Sequence, residues 1–330
     1  MSAPYPWQDR QWQGLQEAHR ANRLPHALLL HGPPGAGVSD FVHRFAASML
    51  CEDPVVHGTP CGTCRSCLLY QSDNHPDLCV IEPEEEGKPM KVDQIRELVQ
   101  FVGLTGHYGQ HKIAILDPAE AMNASAANGL LVTLEEPPPH NLIMLVSHQP
   151  TRLPITVRSR CQRITMQVPP LLARHWLAER SVDDPDTLLA LTDNAPLVAL
   201  ECADGHFACQ RLEIVTDLEQ LTFDAPDPIT LAEKWTKIGA RQVVRWLLRL
   251  LQDILRLKFV QEPPLLANRD LVERLHELAK RLDLQALFGS YDRLIEYQEL
   301  IGSNANVNVH NLMEEFTIKW ISQFDDGENI

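Results

Sequence analysis

The first half of the chain alternates short apolar runs with helical patterns, and this alternation constrains the fold more than any other feature. Apolar runs typical of buried strands occupy residues 27–30, 78–82, 112–117 and 142–147. Between the first two runs, Phe41, Phe45 and Met49 recur at helical spacing. Strands that alternate with helices predict an α/β domain built on a parallel sheet.

Beyond residue 166 the strand signals fade and helical patterns continue alone. Short helices are predicted within residues 171–200, and longer ones over residues 241–260, 271–287 and 311–324. The sequence therefore predicts three domains: an α/β domain over residues 1–166, a small helical domain over residues 167–207 and an all-α domain over residues 208–330.

The charge balance argues against a protein that binds nucleic acid tightly by itself. The net charge is −15, from 29 Lys and Arg against 44 Asp and Glu. Nucleic-acid binders usually carry a basic field, because neutralising phosphates dominates their affinity. No apolar run reaches the roughly 18 residues of a membrane span, and the N-terminus lacks the basic start and apolar core of a secretory signal. We expect a cytoplasmic protein without membrane partners.

A glycine-rich loop, HGPPGAGVSD at residues 31–40, connects the first apolar run to a helical pattern. Gly32, Gly37 and Ser39 match the phosphate-binding pattern of Gly, four residues, Gly, Lys, then Ser or Thr, and Gly35 adds flexibility between them. Val38 occupies the Lys position and supplies neither charge nor donor. The loop is therefore either a structural turn or a weak nucleotide site, and ATP is not expected to bind it tightly.

The second half of such a nucleotide site is also altered. Asp117 follows the apolar run at 112–117 as a magnesium-binding Asp would, but Pro118 stands where a water-activating Glu is expected. Glu120 lies two positions further along and is not expected to substitute. Two separate losses in one site predict that this chain does not hydrolyse ATP.

Four of the eight cysteines are spaced as metal ligands. Cys51, Cys61, Cys64 and Cys67 read C-x9-C-x2-C-x2-C. Four thiolates suit Zn²⁺ in a closed tetrahedral shell, so the pattern predicts a structural zinc site without an open position for catalysis. Free thiols on a loop and a redox pair are the alternatives.

Two arginines, Arg158 and Arg160, lie in the segment LPITVRSRC at residues 153–161. An arginine can stabilise charge on a transferring phosphoryl group from outside the active site. The residues alone are equally compatible with ordinary surface arginines.

Several of these motifs, in this order, resemble those of bacterial clamp-loader ATPases of the AAA+ group. They are LPHALLLHGPPGAG, the cysteine cluster, KIAILDPAEAMNASAANGLLVTLEEPPPHNLIMLVSHQPTRLPITVRSRC and NAPLVAL. The last ~125 residues resemble the family in being helical and in a NVHNLMEEF-like terminal helix. The resemblance implies an AAA+ α/β domain with a degenerate loop and a zinc module, a helical lid and a helical collar for oligomerisation.

The same resemblance separates two kinds of subunit. ATP-hydrolysing gamma or tau motors carry Lys at the position of Val38, Glu at that of Pro118 and Arg at that of Val198, and all three are absent here. The chain therefore resembles the stator of a DNA polymerase III clamp loader. The alternatives are a motor with an atypical loop and a zinc-dependent nucleic-acid regulator.

The intact triplet at residues 159–161 carries the implied role. In this family the arginine at the Arg160 position acts in trans at the ATP site of the neighbouring motor. The resemblance implies a hetero-pentameric ring with gamma/tau motors and a delta subunit. It also implies that the assembled ring, rather than this chain alone, engages the sliding clamp and primer-template DNA.

Overall fold

A computed structural model describes residues 4–55, 58–85, 87–106, 111–203, 205–224, 226–302 and 307–325. The chain divides into two compact units, Met1–Trp176 and Leu177–Ile330. Within the described ranges, no helix combines the length and apolar character that crossing a membrane requires.

The first unit is built on a parallel sheet of five strands in the spatial order β2-β3-β4-β1-β5. The strands are β1 (Ala27–His31), β2 (Leu78–Ile81), β3 (Lys112–Leu116), β4 (Asn141–Ser147) and β5 (Gln162–Thr165). Every residue of β3 and β4 is buried, because helices cover both faces of a parallel sheet. The predicted parallel α/β sheet is confirmed.

Strand β5 was not predicted from the sequence. It lies at the edge of the sheet, where its Ile164 pairs with Leu30 of β1. Gln162 and Arg163 are exposed, so the strand lacks the continuous apolar run that identifies the central strands.

Seven helices of the first unit surround the sheet in the described part of the chain. They are α1 (Asp9–Arg20), α2 (Val38–Leu50), α3 (Arg65–Gln71), α4 (Val92–Gly103), α5 (Ala124–Glu135), α6 (Ile155–Arg158) and α7 (Pro170–Ala178), which runs past the division between the units. Short 3-10 helices cover Pro6–Gln8, Ala119–Ala121 and Pro150–Arg152. Leu98 of α4 and Leu130 of α5 pack with Leu116 and Leu145 of the sheet in one buried core.

The second unit is built from helices and contains no strand among its described residues. It contains α8 (Pro185–Leu191), α9 (Pro196–Glu201), α10 (Gly205–Phe223), α11 (Pro228–Phe259), α12 (Val272–Arg281), α13 (Leu284–Gly302) and α14 (Val309–Asp325), with a 3-10 turn at Arg269–Leu271. Trp235, Trp246 and Trp320 lie in its core, each almost fully buried. The helical C-terminal region is confirmed, whereas the division at residue 207 stays a prediction.

Two helix boundaries differ from the predicted ones. The single helix predicted over residues 271–287 is wrong, because Asp283 separates α12 from α13 and accepts hydrogen bonds from the backbone N–H groups of Gln285 and Ala286. Helix α11 begins at Pro228, well before residue 241, and its helical backbone is interrupted at Gly239, which has a φ of 119°. The predicted start therefore falls two residues after a real break.

Candidate functional site

The glycine-rich loop lies at the carboxyl edge of the sheet, where open α/β sheets bind their ligands. The Gly32 N–H donates to the carbonyl of Ser147 at 3.3 Å, and the Gly32 carbonyl is 3.0 Å from His148 Nδ1. The Met166 N–H donates to the carbonyl of His31 at 2.8 Å. The ends of β1, β4 and β5 therefore meet beneath the loop.

Val38, at the lysine position of the loop, faces the interior of the domain. Val38 is the first residue of α2 and is 1% exposed. A Cβ placed on Gly32 would lie 3.1 Å from a Val38 methyl group and 2.8 Å from the Met166 carbonyl, so this part of the loop is fully packed. Gly35 and Gly37 adopt φ of 76° and 72°, a left-handed conformation that favours glycine.

The chain covers its own loop with the N-terminal segment Tyr5–Gln8. The Trp7 indole Nε1 donates to the carbonyl of Ala36 at 2.9 Å. The Gln8 amide donates to the same carbonyl at 2.9 Å and to that of Gly37 at 2.7 Å, and the Gln8 side chain is 0% exposed. Two loop carbonyls are thus satisfied by side chains of this segment.

The Tyr5 ring lies directly against the end of the loop. A Cβ on Gly37 would lie 2.5 Å from the Tyr5 ring, so only glycine fits there. The Tyr5 hydroxyl donates to Asp40 at 2.7 Å, and the Arg44 guanidinium lies 4.5 Å from the ring centroid. Burial raises the pKa of Tyr5, and the bond to Asp40 raises it further, so the hydroxyl stays a donor.

Three aromatic rings close this arrangement, and we call Tyr5, Trp7 and Trp176 the aromatic cap. Tyr5 stacks on Trp7 with centroids 5.1 Å apart, and Trp176 of α7 meets Trp7 edge-on at 5.4 Å. The sequence reasoning did not assign this cap a role. The segment Tyr5–Gln8, with two aromatic residues and an amide, was the only sequence signal for it.

Asp117, which matches the magnesium-binding position, and Glu120, which is not expected to replace the missing Glu, both lie beyond β3. The Asp117 N–H donates to the Ile81 carbonyl at 3.0 Å. Glu120 accepts the backbone N–H groups of His148 and Gln149 on one oxygen, at 2.9 and 3.0 Å. The Glu120 carboxylate therefore holds the chain that follows β4, and Pro118 offers neither an acid nor a base.

The four predicted metal ligands converge in the structure. The sulfurs of Cys51, Cys61, Cys64 and Cys67 all lie within 4.8 Å of one another. The Cys51–Cys64 and Cys61–Cys67 pairs are each 3.9 Å apart. A tetrahedral zinc with Zn–S bonds of about 2.3 Å requires sulfurs about 3.8 Å apart, so this geometry fits the ion.

Backbone N–H groups also favour thiolates in this cluster. The N–H groups of Cys61, Cys64 and Cys67 point at the sulfurs of Cys51, Cys61 and Cys64, each at 3.3 Å. Hydrogen bonds from the backbone N–H groups of Thr63 and Cys64 lower the pKa of the Cys61 thiol to about 6, whereas burial raises the pKa of the Cys51 and Cys67 thiols. Metals bind the thiolate, so the environment of Cys61 favours metal binding, and a bound cation would have to displace the protons of Cys51 and Cys67.

Arg160 lies on the surface next to α5 and α6, and its side chain is 33% exposed. One guanidinium nitrogen donates to the Thr156 carbonyl at 2.9 Å, and another pairs with the Glu135 carboxylate. The Arg158 Nε is buried, and no partner for it is found within the described residues. Val198, on α9, is half-buried in the second unit.

Comparisons with known proteins give one consistent family. The family described as "DNA polymerase III, delta subunit" matches residues 7–170, and the one described as "DNA polymerase III, delta subunit, C terminal" matches residues 206–322. Together these matches cover both structural units.

Individual relatives agree along the whole chain. A protein named DNA polymerase III subunit delta' from Pseudomonas aeruginosa is 35% identical over 98% of this chain and 98% of its own length. The Escherichia coli protein of that name is 30% identical over 94% of each chain. A DNA polymerase III subunit tau/gamma from Haemophilus influenzae is 36% identical, but over 44% of this chain and 21% of its own length.

Proposed function

The chain belongs to the delta' subunit family of DNA polymerase III, and from this membership we propose that it is the stator of a clamp loader that completes a neighbour's ATP site with Arg160. The observation that carries the proposal is the guanidinium of Arg160, which is one-third exposed and anchored at the surface. An arginine supplied in trans stabilises the charge that develops on a transferring phosphoryl group.

The chain's own loop is proposed to serve as a structural platform that does not bind ATP tightly. Val38 leaves the loop without its phosphate-binding cation, and Trp7 and Gln8 occupy its carbonyls. The Tyr5 ring sits on Gly37 and its hydroxyl bonds the first turn of α2. Retaining the loop keeps β1 and α2 correctly connected for docking against a motor subunit.

The other parts of the chain complete this role. The cysteine cluster would hold a structural Zn²⁺, because its four sulfurs leave no position open for substrate. The helical second unit would pack with gamma/tau motors and a delta subunit in a hetero-pentameric ring. A chain with a net charge of −15 would meet the sliding clamp and primer-template DNA as part of that ring.

A motor role for this chain is the weaker proposal. The tau/gamma relative matches less than half of the chain, whereas delta' relatives match nearly all of it. The absence of Lys at Val38 and of Glu at Pro118 also argues against hydrolysis here.

Replacing Arg160 with Ala in a reconstituted loader tests the proposal. We expect the complex to assemble normally, and turnover at the neighbouring ATP site to fall by on the order of 10³-fold. The measurement is the pre-steady-state burst of ATP hydrolysis with clamp and primed DNA. The exposed Arg152→Ala is the matched control and should behave as wild type. An unchanged burst with Arg160→Ala would refute the arginine-finger role.

A further inference from the structure

Arg160 does not extend freely into solvent but is fixed by three acceptors of its own chain. The Thr156 carbonyl, at 2.9 Å, and the Ser159 hydroxyl, at 3.4 Å, accept from one terminal nitrogen of the guanidinium, and the Glu135 carboxylate pairs with the other. A guanidinium has five N–H donors, so these three bonds leave two for another ligand. The side chain is therefore oriented before any neighbour arrives.

The position of Glu135 is unfavourable for the helix that carries it. It is the last residue of α5, where the partial negative charge of the helix end disfavours a carboxylate. Helix stability does not account for a glutamate at this position. The ion pair with Arg160 does account for it, because the guanidinium offsets both the carboxylate and the helix end.

Two exposed apolar side chains lie on the helices that flank the pair. Val132 precedes Glu135 by one turn and is 68% exposed. Ile155 begins α6, the helix that leads to Arg160, and is 70% exposed. A neighbour packed on these apolar side chains would exclude water from the ion pair and strengthen it.

We propose that Glu135 is a positioning residue that holds the Arg160 guanidinium in the orientation needed to reach the neighbouring ATP. This inference rests on the proposed function of Arg160. Glu135 contacts neither ATP nor the motor's reacting atoms; it limits the rotation of the arginine so that its remaining N–H groups point outward. The negative charge partly offsets the cation, and the gain in orientation outweighs that loss.

The experiment compares Glu135→Ala, Glu135→Gln, Arg160→Ala and the Glu135→Ala/Arg160→Ala double variant in reconstituted loaders with clamp and primed DNA. We expect Glu135→Ala to lower the rate constant of ATP hydrolysis by on the order of 10-fold, with the KM for ATP little changed, since a misplaced reacting group can cost 10²-fold. Glu135→Gln keeps an acceptor and should recover part of the rate. The double variant should be no slower than Arg160→Ala alone, because Glu135 acts through the arginine.

Controls separate this role from a structural one. Glu136→Ala changes the adjacent exposed carboxylate and should leave the rate at the wild-type level. Thermal melting and assembly of every variant should match wild type. If Glu135→Ala hydrolyses ATP at the wild-type rate while Arg160→Ala is slow, the positioning role is wrong and the proposed function stands.

A further loss in the double variant would place Glu135's effect outside Arg160 and also overturn the inference. If Arg160→Ala itself keeps the wild-type rate, the proposed function fails first.

Discussion

At the scale of single residues, Gln8 links the N-terminal segment to the loop. Its side-chain oxygen accepts the Tyr5 N–H at 3.2 Å while its amide donates to the Ala36 and Gly37 carbonyls. If Gln8 were lost, the Ala36 carbonyl would keep the Trp7 indole N–H, whereas the partly buried Gly37 carbonyl and Tyr5 N–H would each need a new partner. The carbonyls of the loop therefore depend on side-chain donors from about thirty residues away in the sequence.

Gln8→Ala should lower the free energy of unfolding of the first unit by about 1–3 kcal/mol, because the Gly37 carbonyl and the Tyr5 N–H lose their Gln8 partners. Gln13→Ala, an exposed glutamine on α1, is the matched control and should cost less than about 0.5 kcal/mol. Urea denaturation followed by tryptophan fluorescence measures both variants.

Mg-ATP should not raise the free energy of unfolding of either variant in the same urea titrations. A ligand that binds only the folded state would raise it, and we do not expect the loop to bind ATP tightly. Equal losses of unfolding free energy in Gln8→Ala and Gln13→Ala would show that the loop does not rely on the segment Tyr5–Gln8.

Single residues also mark how far sequence reasoning reached. Comparison with the phosphate-binding pattern shows that Val38 replaces Lys, and this alone predicted that the loop does not bind ATP tightly. The packing of Tyr5 on Gly37 was not predicted, because contacts between residues so far apart leave no periodic signal. The role of Glu120 as a backbone acceptor likewise follows from the path of the chain after β4.

At the scale of elements, the cysteine cluster joins α2 to α3. Cys51 directly follows α2, and Cys64 caps the N-terminus of α3, where its sulfur accepts the Cys67 N–H. The Ser66 hydroxyl adds a bond to the Leu50 carbonyl at 2.5 Å. A metal in this cluster would hold the end of the helix that starts at the glycine-rich loop.

Cys64→Ser should reduce bound zinc to a small fraction of the wild-type level and destabilise the first unit by several kcal/mol, since structural zinc binding contributes directly to folding. Elemental analysis and thermal melting are the measurements. Cys209→Ser, which changes an exposed cysteine on α10, is the control and should alter neither. Wild-type protein purified without zinc, and stable in that form, would contradict a zinc site.

Elements were predicted best where burial is continuous. The apolar runs of β1, β3 and β4 identify these central strands, whereas the exposed edge strand β5 carries no such signal. The burial of one acid on α11 had no signal in the sequence either. Asp253 is 0% exposed and accepts hydrogen bonds from the backbone N–H groups of Ala267 and Asn268. A buried acid with backbone partners resembles a solvated one in sequence.

At the scale of the whole molecule, the chain combines an incomplete nucleotide site with an arginine held at its surface. The chain keeps the strand, loop and helix of a nucleotide site, but its own N-terminal side chains bind two carbonyls of the loop and cover Gly37. Its Arg160, by contrast, stands at the surface with donors to spare. This combination is what we expect of a chain that acts in a complex whose neighbours hold the ATP.

The most direct test is the structure of the assembled loader with a slowly hydrolysed ATP analogue, clamp and primed DNA. The account predicts the Arg160 guanidinium within hydrogen-bonding distance of the analogue's terminal phosphate in the adjacent motor. It also predicts Tyr5–Gln8 on this chain's own loop. An Arg160 directed away from every neighbour, with nucleotide and magnesium bound beside Val38, would contradict it.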